Sequence, residues 1–155
     1  MLQFSPLGHF MRESGAWTYA IVNLAHIFGI ATLFGSVLLV DLRLMGVWRR
    51  VPLPVLADVA SPVAATGLAL AALSGLGLLS ANATDYLGNP FLLVKFPAIA
   101  LGLVNAAVIK RSAPFRDSRS RALTRSEQRR LAIMGGTSLT CWLTAIAAGR
   151  MIGYW

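Results

Sequence analysis

His26 lies about nine residues inside an uncharged apolar run, Trp17 to Val40, that is long enough to cross a lipid bilayer. An ionisable side chain at that depth is costly in lipid, and it usually faces a bundle interior where it pairs with another group or binds a ligand. Asn23 lies three residues earlier and shares its helical face. Gly29, three residues later, is expected to leave room for a flat ring. The spacing therefore predicts a ligand-binding or metal-binding role for His26.

Polar side chains in two other apolar runs are expected at a similar depth. Lys95 lies about one turn into the third run, and Arg150 lies about one turn from the end of the fourth. Trp142, Ala145 and Gly149 share one face of the fourth run through their helical spacing. On this face, the ring of Trp142 lies next to a gap left by the small residues, and the charged Arg150 lies beside it. Convergence from three helices favours a site that contains His26.

Each of these residues also has a simpler interpretation. Lys95 and Arg150 can extend to the outer interface with their charges in water. Asn23 can hydrogen-bond a neighbouring helix, and the small residues of the fourth run suit ordinary helix packing. His26 itself can be a hydrogen-bonded structural residue, so both interpretations stay open.

Three ligands fit an imidazole in an apolar helix bundle. Haem b is the first, because cations at the wet edge would pair with its propionates. A quinone headgroup is the second. Copper is the third, with Met134, Cys141 and Met151 as candidate ligands beside His26. The other histidine, His9, lies in the N-terminal segment and would approach only from outside.

The composition is that of an integral membrane protein, with 56% hydrophobic and 13% charged residues. The formal charge of +8 does not indicate nucleic acid, because eleven of the fourteen basic residues lie in or around two connections between apolar runs. These are Arg43, Arg49, Arg50, Lys110, Arg111, Arg116, Arg119, Arg121, Arg125, Arg129 and Arg130. The positive-inside rule places both connections in the cytoplasm and both termini on the outer, periplasmic side. Membrane lipids are the expected anionic partner, although a topology role alone would explain the charges.

The elements that must position these residues are four membrane-spanning helices. We predict an all-α, four-helix transmembrane bundle in a single domain, residues 1–155. The spans are expected at about 17–40, 62–80, 90–110 and 129–153, with a cytoplasmic basic loop at 111–128. Start signals are Ser61–Pro62, Asn89–Pro90 and the capping box of Thr124 with Glu127. The stretch 54–60 is predicted to be a separate short interfacial helix.

The second span carries a stripe of small residues at helical spacing: Ala60, Ala64, Gly67, Ala71 and Gly75. In lipid such a stripe permits close contact between helices. It predicts packing within the bundle, with a homo-oligomer seam as the alternative.

Several short runs, spread over nearly the whole chain, resemble known membrane families. The runs 25–29 and 41–44 resemble the first helix of the copper-resistance-D-like families, which include the HemJ type of protoporphyrinogen oxidase. The segment 89–107 is similar to the lysine-bearing helix of that oxidase, and the runs 40–46 and 148–154 resemble a group of uncharacterised bacterial four-span proteins. The resemblance implies haem b at His26 with Lys95 near it.

The leading hypothesis is a small redox-associated, multi-pass protein of the bacterial inner membrane that holds haem b, or a quinone, through His26. The alternative is a non-catalytic accessory subunit of a larger membrane complex, and a copper-handling protein comes third. The sequence shows no paired carboxylates, phosphate-binding glycine loop, zinc spacing or nucleophile arrangement. It therefore does not assign an enzymatic activity.

Overall fold

The computed structural model describes residues 15–81 and 88–154. Within these ranges the chain is helical, without a strand: α1 (Gly15–Leu44), α2 (Leu53–Ala81), α3 (Pro90–Arg111), α4 (Ala113–Asp117), α5 (Arg125–Met151) and a 3₁₀ turn (Ile152–Tyr154). The predicted all-α class is confirmed. Four of the helices, α1, α2, α3 and α5, are long and apolar enough to cross a membrane, as in a multi-pass membrane protein. His9, the second histidine of the chain, lies outside the described residues.

Two helices are longer than the sequence predicts. α1 continues past Val40 to Leu44, and Asp41 is buried beside Ser138 instead of facing solvent. α2 begins at Leu53 and runs without interruption through Pro62. The predicted helix start at 61–62 and the separate helix at 54–60 are therefore wrong. A proline removes one backbone donor, a loss that helices in a membrane tolerate when neighbouring groups satisfy the freed carbonyl.

Two start signals are correct. α3 begins at Pro90. α5 begins at Arg125 with Thr124 as its N-cap, and both hydrogen bonds of the capping box with Glu127 are present. The predicted loop at 111–128 contains the short helix α4, which is capped by Ser112.

The chain divides into two compact units. The first unit comprises residues 1–35 and 63–89, and the second comprises residues 36–62 and 90–155. α1 and α2 each contribute one part to each unit.

In the first unit, α1 and α2 pack backbone to backbone. A methyl group added to Gly29 would lie 2.6 Å from the Ala71 amide nitrogen, and one added to Gly67 would lie 2.5 Å from the Leu33 amide nitrogen. Small residues allow this approach, which is a common source of helix association in lipid. The small-residue stripe of α2 therefore serves packing within the chain at Gly67 and Ala71.

In the second unit, large side chains form the core. Leu44, Leu53, Ile109 and Leu131 are buried together at the ends of their helices. The connection before α5 is held by charge, because Arg121 donates to Glu127 and Asp117. These hydrogen bonds raise the pKa of Arg121, Glu127 having the larger effect. The arginine therefore stays charged.

Candidate functional site

The imidazole of His26 is anchored to α2 through one nitrogen. Its Nδ1 atom lies 2.9 Å from the Ala71 carbonyl oxygen and 3.1 Å from Ser74 Oγ. The Ser74 hydroxyl donates to the Leu70 carbonyl at 2.5 Å, so its proton is already engaged. A carbonyl only accepts. These partners assign the proton of the neutral ring to Nδ1, which leaves the lone pair on Nε2.

A glycine of α2 makes room for this ring. A methyl group on Gly75 would lie 2.9 Å from His26 Cε1 and 3.3 Å from Nδ1. Ala71, Ser74 and Gly75 thus form a socket, here called the His26 socket, that fixes the ring in one orientation. The half-buried ring is held by residues one turn apart on a single helix. Gly75 belongs to the small-residue stripe seen in the sequence, but the sequence did not predict that it makes room for the His26 ring.

The two neighbours of His26 on α1 have different surroundings. The space expected beside Gly29 is occupied by the backbone of α2 at Ala71 and Gly67, so a flat ring cannot lie there. That prediction is wrong because the missing side chain serves helix contact. Asn23 is exposed, and the Nδ1 hydrogen bonds of His26 run to α2.

The second unit brings Lys95 and the wall of α5 together. The Cε and Nζ atoms of Lys95 lie 3.5 Å from the position that a methyl group on Gly149 would take. The gap predicted at Gly149 is therefore covered by the half-buried Lys95 side chain. Trp142 is buried against Gly102 of α3, whose added methyl would lie 3.1 Å from Trp142 Cε2. Among the residues that the structure describes, the buried indole Nε1 has no hydrogen-bond partner.

Arg150 pairs with an aromatic residue of its own segment. Its Nη2 atom donates to the Tyr154 hydroxyl at 2.5 Å, and its guanidinium lies 4.7 Å from the centre of that ring. Both residues are exposed. A cation beside an aromatic ring at a helix end is typical of a membrane interface, so this geometry fits the interfacial interpretation of Arg150.

The candidate copper ligands Met134, Cys141 and Met151 all belong to the second unit. Met134 packs against the core of the second unit, Met151 is exposed, and Cys141 is half-buried. Among residues 15–81 and 88–154, no three His, Cys, Asp or Glu side chains are grouped to hold a metal ion.

Sequence inspection missed a buried acid. Asp41 is only 2% exposed and lies beside Ser138 of α5, and within residues 15–81 and 88–154 its Oδ2 atom has no hydrogen-bond partner. Gly135, one turn before Ser138, allows α1 to come close, since an added methyl would lie 2.9 Å from the Asp41 carbonyl oxygen. The small residues 135 and 138 on one face of α5 were the sequence feature that could have predicted this close helix contact.

The structure has four long apolar helices, and a histidine of one of them is hydrogen-bonded to the next. These features are typical of a small multi-pass membrane protein. The chain belongs to DUF6644, a family of unknown function, whose sequence profile matches residues 3–155. No curated protein and no solved structure matches the chain. The resemblance to the copper-resistance-D-like and HemJ-type families stays a prediction.

Proposed function

We propose that this protein is a small redox-associated, four-span protein of the bacterial inner membrane that holds haem b through Nε2 of His26. The supporting observation is the hydrogen bond from Nδ1 to the Ala71 carbonyl. Histidines that ligate metals usually donate their second ring N–H to a carbonyl or carboxylate, which fixes the tautomer and the ring orientation. Haem, when bound, supplies one-electron transfer.

The same geometry ranks the alternative ligands. A quinone carbonyl needs a hydrogen-bond donor, but the proton of the neutral His26 ring is engaged with Ala71 and Ser74. Nε2 then offers a lone pair, which suits iron or copper better than a quinone. Haem needs one strong nitrogen from the chain, whereas copper sites usually gather several soft ligands. Haem b is therefore the preferred ligand, and the proposal depends on His26 and its socket.

The visible absorption spectrum of the purified protein, before and after dithionite, tests this proposal. The parent, expressed with ample haem, is expected to show a Soret band. His26→Gln should insert and fold but lose or shift that band, because glutamine keeps polarity without the nitrogen ligand. His9→Gln is the matched histidine control and should retain the band unless His9 is the second axial ligand. A colourless parent protein would contradict the haem proposal.

We further propose that both basic connections face the cytoplasm and that both termini are outside. The support is the distribution of charge, with eleven of fourteen basic residues in those connections. Reporter fusions after Trp155 should report outside, and a fusion at Ser118 should report inside. An outside result at Ser118 would contradict this topology.

An accessory subunit of a larger membrane complex is the second candidate. Asn23 favours it, because an exposed amide among the exposed apolar residues Leu24, Ile27 and Phe28 suits a contact with another helix. If the parent is colourless, Asn23→Ala distinguishes the candidates. Loss of a co-purifying membrane partner in that variant alone would support the subunit role, and an unchanged composition would count against it.

A further inference from the structure

Four arginines line one cavity of about 560 Å³ in the second unit. They are Arg43, Arg49, Arg125 and Arg129, and none of the acidic residues within 15–81 and 88–154 lines this cavity. We call it the arginine pocket. Four like charges on one small cavity repel one another, so the pocket favours an anion.

The first wall of the pocket is a tight turn after α1. The turn passes through two residues with positive φ, Gly46 at 101° and Trp48 at 50°. Arg43 donates from Nε to the Val51 carbonyl at 2.6 Å, and Arg49 donates from Nε to the Gly46 carbonyl at 3.3 Å. Both guanidinium groups are thus positioned by neutral backbone oxygens. In residues 15–81 and 88–154 neither forms an ion pair with a carboxylate.

The second wall is the start of α5. Arg125 and Arg129 are four residues apart and therefore share a face. Gln128 ties this turn to the end of α1 by donating from Nε2 to the Leu44 carbonyl at 2.8 Å. Glu127 lies on the same turn but does not line the pocket, because its carboxylate is engaged by Arg121 and by the Thr124 amide. The positive charge of the pocket is therefore not neutralised by this acid.

The remaining surface of the pocket is suited to a lipid. Met45, Leu123 and Ala132 add apolar area, and the exposed Trp48 lies in the adjoining turn. The pocket lies where one apolar helix long enough to span a membrane ends and another begins. Arginine binds phosphate oxygens through paired N–H donors, and basic pockets between membrane helices bind anionic headgroups. We propose that the arginine pocket binds the phosphate of an anionic phospholipid, independently of any ligand at His26.

Native mass spectrometry in a mild neutral detergent tests the proposal with three probes: phosphatidylglycerol, phosphatidylcholine and inorganic phosphate. The parent should retain phosphatidylglycerol and show no comparable binding of the other two. Arg129→Gln should weaken phosphatidylglycerol binding about tenfold, the value of one charge-assisted hydrogen bond. Arg49→Gln, on the opposite wall, should have an effect of similar size.

Arg130→Gln is the matched control. Arg130 is exposed and adjacent to Arg129 on α5, carries the same charge and does not line the pocket. Its affinity for phosphatidylglycerol should equal that of the parent. Equal losses in both variants would assign binding to general surface charge and overturn the site. Inorganic phosphate bound as tightly as the lipid would overturn the lipid assignment. Unfolding midpoints without lipid verify that every variant is folded.

Discussion

The two units of the molecule differ in their internal packing. In the first unit, the backbones of α1 and α2 are in contact at Gly29 and Gly67, which have no side chain. In the second unit, large leucine side chains fill the space between helix ends. Lipid offers no hydrophobic drive for burying a leucine, so close backbone approach stabilises a helix pair within it. Where a core excludes water, the burial of large apolar side chains stabilises it through the hydrophobic effect. The first unit should therefore be sensitive to added atoms, and the second to removed atoms.

Leu131→Ala is expected to have the largest effect on stability. Leu131 is fully buried in the second unit, and its truncation should lower the free energy of unfolding by about 2–5 kcal/mol. Unfolding in mixed micelles of SDS and a mild detergent measures this change. Ile133→Ala, on the exposed side of the same helix, should stay within about 0.5 kcal/mol of the parent. Equal losses would show that leucine burial does not hold this unit.

Gly67→Ala should come next. The added methyl meets the backbone of Leu33 and Gly29, which cannot move away as a flexible side chain can. We expect a loss of about 1–3 kcal/mol, the usual effect of overpacking. Gly35→Ala is the control, because nothing lies within 4 Å of its added methyl. Helix propensity alone should make that variant as stable as the parent or more so by up to about 1 kcal/mol. A neutral Gly67→Ala would contradict backbone packing of α1 on α2.

Ser138→Ala should have the smallest effect of the three. It removes the hydroxyl that lies beside the buried Asp41 carboxyl, and a loss of about 0.5–1.5 kcal/mol is expected in the same unfolding assay if that hydroxyl donates to the carboxyl. Thr140→Ala removes an exposed hydroxyl that bonds the Gly136 carbonyl of its own helix, and it should be nearly neutral. If the two variants behave alike, the contact between Asp41 and Ser138 contributes nothing to the second unit.

Local signals predicted much of the fold. The four apolar runs, the helix start at Pro90 and the Thr124 capping box depend on residues close in the chain, and each is present. The start expected at Pro62 is wrong because the same local signal also occurs inside a helix in lipid. Asp41 was expected to end a span, but it is buried against α5, far away in the sequence, and the helix continues to Leu44.

The candidate site was predictable in its central residue but not in its surroundings. An uncharged run singles out His26 by the cost of burying it. Its partners Ala71 and Ser74 lie 45 and 48 residues away, and no spacing rule selects them. Gly29 illustrates the same limit, because a glycine in a span is equally suited to a ligand gap and to a helix contact. The structure assigns it to helix contact.

The contacts that hold His26 join two helices that are synthesised before the rest of the chain. In the first unit the contacts of residue 26 with 75, 29 with 71 and 33 with 67 run in opposite directions along α1 and α2, as in a helical hairpin. Every partner of this hairpin is therefore synthesised before α3 begins at Pro90. The His26 socket can form during membrane insertion, while the rest of the chain is still on the ribosome. Errors in the later helices would then leave this socket assembled.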